Sequence, residues 1–215
     1  MIIIEGMIGS GKSTLSKLLA NKLNMNVLYE PVEENPILAK YYYDMKRYGF
    51  SLQIYFLSER FRMMKEARKN GNTILDRSID GDLIFTEINN EDGNIADEEL
   101  LIYKNLLQNM KESLGDIESE EKDLMVYLYA PFTVILHRIR GRGREYEQPN
   151  DTNGLLSYYK RLYDKYERFI SEYDKPKIII DTTTIDFARN VSDENKVSAT
   201  IKSAYDEVNN PPLSL

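Results

Sequence analysis

Gly6-Met7-Ile8-Gly9-Ser10-Gly11-Lys12-Ser13 is the stretch on which the reading of this chain turns. It fits G-x-x-x-x-G-K-[ST], the loop that nucleotide-using enzymes fold around phosphate. Its flanks fit too. Met1-Ile2-Ile3-Ile4 is a short apolar run that reads as a buried strand, and Thr14 to Leu23 reads as a helix. Strand, glycine turn and helix in that order let backbone N–H groups close around phosphate oxygens. The helix N-terminus adds partial positive charge, Lys12 adds a full one, and the Ser13 hydroxyl is placed to ligate Mg²⁺. Average residue usage would produce the pattern by accident in roughly one chain of this length in a hundred. A glycine-rich turn with a spare lysine is the plainer reading, and the flanking elements argue against it.

Composition sets the outer bounds. The 215 residues suffice for one α/β domain with a full core, and we expect a single domain over 1–215. Hydrophobic content of 42% and charged content of 29% are ordinary for a globular protein. The chain has no cysteine, which excludes structural disulfides and cysteine-based zinc sites and suits a reducing cytoplasm. It opens in a strand and has no apolar run near twenty residues, so neither a signal peptide nor a transmembrane helix is expected. Asn150-Asp151-Thr152 and Asn190-Val191-Ser192 match the glycosylation pattern and are read as chance. A net charge of −7 disfavours a broad nucleic-acid surface but leaves room for arginines to dominate one cleft.

Apolar runs alternate with helical patterns, which predicts a parallel sheet covered on both faces. The expected strands are Ile2 to Glu5, Val27 to Glu30, Thr73 to Asp76, Leu124 to Tyr129 and Lys177 to Asp181. Helices are expected over Thr14 to Leu23, Pro36 to Arg47, Ser51 to Lys69, from near Ser78, Ala96 to Glu112, Phe132 to Ile139, Leu155 to Tyr173 and Val197 to Val208. Asn89 to Asn94 reads as a polar surface loop, Gly141 to Gly154 as an irregular stretch long enough for a lid, and Asn209 to Leu215 as a frayed end.

Ligands of open parallel sheets bind beyond the carboxyl ends of the strands. Three expected strands end there in carboxylates: Glu5, Glu30 and Asp76. Glu5 reads as support for the loop. Asp76, followed by Arg77-Ser78, stands where a strand-end aspartate holds Mg²⁺, commonly through water; a surface ion pair is the plainer alternative. Glu30 before Pro31 is placed to act as a base toward a hydroxyl, while Glu33 and Glu34 fit a solvated acidic turn. Arg138-Ile139-Arg140-Gly141-Arg142-Gly143-Arg144 packs four arginines into seven residues of an acidic chain. Closing over transferring phosphates, they would stabilise spread negative charge. His137 reads as an ordinary helix residue. Gln53 and Arg60 are two helical turns apart and share a face, and a glutamine amide in an apolar cleft can bond a base edge twice.

Taken together, these landmarks resemble the deoxynucleoside kinase family, in its deoxyadenosine/deoxycytidine/deoxyguanosine branch of bacterial or phage type. They are the loop, Glu30-Pro31, Gln53 with Arg60, Asp76-Arg77-Ser78, the Arg138/Arg142/Arg144 spacing and Asp186-Phe187, and they run through nearly the whole chain. The resemblance implies a P-loop kinase fold: a five-stranded parallel sheet, helices on both faces and an arginine-rich lid over about 138–154. It implies ATP-dependent phosphorylation of a deoxynucleoside 5′-hydroxyl in nucleotide salvage, with Mg²⁺, by a cytoplasmic homodimer.

It also implies roles. Glu30 would be the general base and Arg77 would position the hydroxyl. Ser13 and Asp76 would serve the metal. Gly6 to Thr14, Arg138, Arg142, Arg144, Asp186 and Phe187 would hold ATP. Gln53 would bind the base with Arg60 and Asp82 beside it, Phe85 would stack on it, and Tyr42 and Glu147 would contact the sugar, with Glu145 an alternative to Glu147. Asp80-Gly81 would widen the cleft wall. An acid at Asp82 beside Arg60 favours deoxyadenosine or deoxycytidine and leaves deoxyguanosine open. Two other readings remain: a thymidylate-type monophosphate kinase, which would need cations where Glu30, Glu33 and Glu34 lie, and a nucleotide-dependent switch or binding protein.

Overall fold

The computed structural model describes every residue except 33, 116, 118–121, 151, 153 and 211–215. Glu33 of the acidic turn, parts of the lid stretch and the tail from 211 therefore lie outside the described residues. Five strands form one sheet in the order β2-β3-β1-β4-β5: β1 (Ile2–Glu5), β2 (Asn26–Leu28), β3 (Thr73–Asp76), β4 (Leu124–Tyr129) and β5 (Lys177–Asp181). Every pairing is parallel. The strands alternate with α1 (Lys12–Leu23), α2 (Leu38–Tyr43), α3 (Met45–Asn70), α4 (Asp82–Glu91), α5 (Asp97–Gly115), α6 (Phe132–Arg142), α7 (Leu155–Glu172) and α8 (Val191–Asn209). A 3₁₀ turn covers Glu145–Glu147.

The buried central strand divides its side chains between the two helical layers, as period-two alternation requires. Ile2 and Ile4 pack with Leu15 and Leu19 of α1 and Val197 and Ile201 of α8. Ile3 points the other way, into Leu57 and Met63 of α3 and Tyr103 and Leu107 of α5. Met125 and Tyr127 of β4 carry that second face on to α4, α6 and α7. None of the described helices is long and apolar enough to cross a membrane.

Four strands have the expected bounds. β2 instead ends at Leu28, so Tyr29 and Glu30 have left the sheet before the chain turns at Pro31. The expected helix Pro36 to Arg47 breaks at Asp44, whose side chain accepts from the Arg47 N–H at 3.1 Å and caps α3. That helix then runs through Gly49, which packs against the Asn94 carbonyl and Ile95. α4 starts at Asp82 rather than near Ser78, and α8 starts six residues before Val197 because Asn190 caps it through the Ser192 and Asp193 N–H groups. Asn190-Val191-Ser192 is thus a helix cap. Asn89 to Asn94 is only partly a loop. Asn89 to Glu91 finish α4, and buried Asn89 accepts from the Tyr41 hydroxyl at 2.9 Å.

The loop after β1 is fixed by what surrounds it. Gly6 has φ +146, and a Cβ there would lie 2.8 Å from Ser10 Oγ and 2.9 Å from the Leu128 carbonyl oxygen, which belongs to β4 and cannot step aside. Gly6→Ala should therefore lower unfolding free energy by at least about 2 kcal/mol in urea titration. A loss below about 0.5 kcal/mol would mean that the loop is not seated on β4 as described.

Candidate active site

The parallel register lays the exits of β1 and β3 side by side. Ile3 pairs with Leu75 and Ile4 with Asp76, and the Arg77 N–H extends the ladder by one bond to the Ile4 carbonyl at 3.0 Å. Glu5 and Arg77 thus leave the sheet as neighbours. Arg77 adopts φ +81, a left-handed conformation that a non-glycine residue holds only when its contacts over-determine it. Its guanidinium supplies them. Nε donates to Glu30 at 3.1 Å, and Nη1 donates to Glu5 at 3.4 Å and to the Tyr166 hydroxyl. The group also lies 5.1 Å from the Phe85 ring centre.

Glu30 receives a second guanidinium, that of Arg60, which is paired in turn with Asp82. Burial alone would push the Glu30 carboxyl up, but Arg77, Arg60 and Lys12 outweigh it and hold the group down at about 2. Arg77 is held protonated: burial opposes its charge, and Tyr166, Glu30, Glu5 and Asp76 overcome that. Lys12 is lowered to about 7, chiefly by burial and then by Arg77. Its ammonium donates to the Gly6 and Met7 carbonyls at 2.9 and 3.0 Å.

Two clefts meet over the loop. The first, of about 760 Å³, is lined by Lys12, Glu30, Tyr42, Gln53, Arg60, Arg77, Phe85 and Glu147, with apolar walls from Val32, Leu38, Leu52 and Phe56. The second, of about 1050 Å³, is lined by Gly9 to Thr14, Arg138, Asp186 and Phe187. Gly9, Lys12, Ser13, Arg142 and Arg144 line both. Gly6 and Met7 line neither; they serve the loop through their carbonyls. Phe187 closes over Gly11, where a Cβ would touch its ring at 3.4 Å.

Several residues sit otherwise than their sequence positions suggest. Asp82 is fully buried, paired with Arg60, and not among the residues that line the cleft. Neither Asp80 nor Gly81 lines the cleft either. Asp80 pairs with Lys111 and Lys175, and Gly81 abuts the Glu5 carboxylate, so the wall is not widened there. Arg138 lies within α6, not on a hinge, and is tied to Thr182 by two bonds of 2.8 Å. The irregular stretch begins only at Gly143, in a left-handed turn. Of the two candidate sugar contacts, Glu147 is buried in the cleft and Glu145 is exposed. Glu147 holds Arg142 and Arg144, and its carbonyl accepts from the Tyr159 hydroxyl at 2.9 Å. Tyr42 faces the cleft beside Tyr146, while Tyr43 is 76% exposed. His137 is an exposed residue of α6.

Asp76 bears on a metal. It is buried, its carboxyl is raised by burial, the Ser13 hydroxyl donates to Oδ2, and Oδ1 has no partner. Among the described residues no cluster of three or more acidic, histidine or cysteine side chains could hold an ion. One carboxylate and one hydroxyl fit Mg²⁺, which completes its shell with water and substrate phosphates, and not an all-protein cage.

The chain matches the family model described as deoxynucleoside kinase over residues 2–206. It is 39% identical over 198 residues to a deoxyguanosine kinase of Lactobacillus johnsonii, covering 92% of this chain and 88% of that one. It is 38% identical to a deoxyadenosine kinase of Lactobacillus acidophilus, covering 98% of each. The structure of a deoxyadenosine kinase from M. mycoides with bound dCTP superposes with a TM-score of 0.77 at 30% identity, covering 94% of this chain and all of that one.

Arg60 compensates two carboxylates at once, so its loss should be expensive. Arg60→Met should destabilise the fold by about 3–5 kcal/mol, read from urea unfolding, because Asp82 is left charged in the interior. A cost below about 1 kcal/mol would show that Asp82 does not depend on Arg60.

Proposed function

Since the chain belongs to the deoxynucleoside kinase family, we propose that it transfers the γ-phosphoryl group of ATP to the 5′-hydroxyl of a 2′-deoxynucleoside, with the residues of the two clefts in the following roles. The deoxynucleoside takes the cleft of Glu30 and Gln53, and ATP takes the cleft of the loop, Asp186 and Phe187. The carrying observation is that Glu30 and Lys12 line one continuous cavity, and that Gly9, Lys12 and Ser13 of the loop line the second cleft as well.

In this reading the sugar oxygen forms a bond to the γ-phosphorus, the bond to the bridging oxygen of the leaving ADP breaks, and the hydroxyl proton passes to Glu30. A carboxylate held near 2 is a weak base, so the proton moves late and Glu30 acts first by orienting the oxygen. Arg77 fixes Glu30 and offsets charge at the acceptor oxygen. Arg142 and Arg144, which line both clefts, neutralise charge spreading over the transferred group. Ser13 and Asp76 would hold Mg²⁺, which when bound neutralises phosphate charge.

Gln53 supports deoxyadenosine and deoxycytidine as favoured acceptors. Its carbonyl can accept from an exocyclic amine while its N–H donates to the adjacent ring nitrogen. Deoxyguanosine is the third candidate, on the kinases of that specificity among the relatives. Phe85 offers a ring to the base, and Tyr42 and Glu147 offer polar groups to the sugar. A monophosphate kinase is disfavoured because an acceptor phosphate placed in this cleft would meet the Glu30 carboxylate itself. A cytoplasmic homodimer acting in nucleotide salvage completes the proposal.

The test is a panel of deoxynucleosides, ribonucleosides and deoxynucleoside monophosphates with ATP and Mg²⁺. Turnover should be confined to deoxynucleosides and highest with deoxyadenosine or deoxycytidine. Turnover only with monophosphates, or ATP hydrolysis with no acceptor phosphorylated, would refute the reading. Glu30→Gln should lower kcat by about a hundredfold or more while ATP affinity stays within about twofold of the parent. Normal turnover in that variant would remove Glu30 from the chemistry.

A further inference from the structure

Glu5 is fully buried, and five hydrogen bonds converge on its carboxylate. Oε1 accepts from the Gly6 N–H at 3.0 Å, from Arg77 Nη1 at 3.4 Å and from the Tyr166 hydroxyl at 3.5 Å. Oε2 accepts from the Ser78 N–H at 3.1 Å and from Ser78 Oγ at 3.2 Å. One carboxylate therefore joins the first peptide of the phosphate loop to the turn that carries Arg77.

Tyr166 of α7 completes the arrangement. Its ring is buried among Phe85, Tyr127 and Phe169. Its oxygen accepts from Arg77 Nη1 and its hydrogen points to Glu5, so it bridges cation and carboxylate. Two of the three guanidinium nitrogens are then committed, Nε to Glu30 and Nη1 to Glu5 and Tyr166. Nη2 has no acceptor among the described residues.

We propose that Glu5 and Tyr166 are positioning residues for the transfer: they lock the rotation of the Arg77 guanidinium so that Nε braces Glu30 while Nη2 stays available to a substrate oxygen. This rests on the reading of the site given above. Both residues act through Arg77 and touch no substrate. Without them the guanidinium keeps only Glu30 and the face of Phe85 to orient it, and the strained backbone at Arg77 loses restraint. Gly81 belongs to the same device. Its φ of −79 suits any residue, yet a Cβ there would stand 2.9 Å from Glu5 Oε2.

Glu5→Gln disturbs five bonds at once, so the informative variants are milder. Tyr166→Phe removes one oxygen from an otherwise apolar packing site, and Gly81→Ala crowds the carboxylate. Tyr166→Phe should lower kcat about tenfold with ATP affinity unchanged. In an Arg77→Lys background the same change should have no further effect on kcat, because its target is gone. Independent, multiplying effects would overturn the proposal, as would an undiminished kcat in Tyr166→Phe. A second readout does not depend on turnover. The Arg77 Nε–H signal in nitrogen NMR should exchange slowly with solvent in the parent chain and faster in both Tyr166→Phe and Gly81→Ala. Unchanged exchange in both overturns the proposal. If no deoxynucleoside is phosphorylated, the reading of the site fails and this exchange measurement still decides the positioning.

Discussion

A row of alternating charge organises this structure. Glu5, Arg77, Glu30, Arg60 and Asp82 follow one another through direct ion pairs, and all but the partly exposed Glu30 are buried. Each comes from a different part of the chain: the end of β1, the turn after β3, the segment after β2, the middle of α3 and the start of α4. Burying any one of these ions alone would cost several kcal/mol. Along the row each inner member lies between two opposite charges and each end faces one, so desolvation is offset and the elements that carry them are held in one relation. The row carries one net negative charge, and Lys12 beside it supplies the matching positive one.

That arrangement explains why the chemistry is concentrated where it is. Glu30 has left the edge strand and projects into the cavity, but two guanidiniums hold it ionised and fixed. The first turn of α1 presents Lys12 to the same cavity. Between them lies the space that Arg142 and Arg144 also border, and those two arginines are themselves gathered on Glu147. The two clefts share this wall of cations, so under the proposed assignment charge moving from donor to acceptor stays within reach of the same groups.

Much of the fold was legible because it follows from local pattern. Apolar runs bounded by turns marked β1, β3, β4 and β5 to the residue, and the glycines and lysine of the loop named the chemistry. What pattern could not reach was decided through space. β2 was read too long because Tyr29 and Glu30 continue its character after its pairing with β3 has stopped at Leu28 and Leu75. The expected helices left a gap between Arg47 and Ser51, but α3 runs through it, with Gly49 closely approached by the Asn94 carbonyl. Asn89 looked like loop composition, though its hydroxyl partner Tyr41 lies 48 residues away in sequence. Of the cleft's lining, Gln53 and Arg60 could be found from helical spacing and Arg77 from its place after the strand-end Asp76. Asp82 was placed at the ligand because sequence shows only that an acid stands near Arg60, not which of the two faces the cavity. Tyr166 carried no signal at all: within a tyrosine-rich amphipathic helix its ring reads as core, and its hydroxyl acquires meaning only from Arg77 and Glu5.

The central claim is spatial: an acceptor hydroxyl lies between Glu30 and the terminal phosphate held by the loop. The direct measurement is a crystal structure with a deoxynucleoside and a non-hydrolysable ATP analogue bound together. The account predicts the 5′-oxygen within hydrogen-bond reach of Glu30 and in line with the γ-phosphorus. A sugar bound with its 5′-oxygen turned away from Glu30, or a nucleoside seated outside the Gln53 cleft, would contradict it.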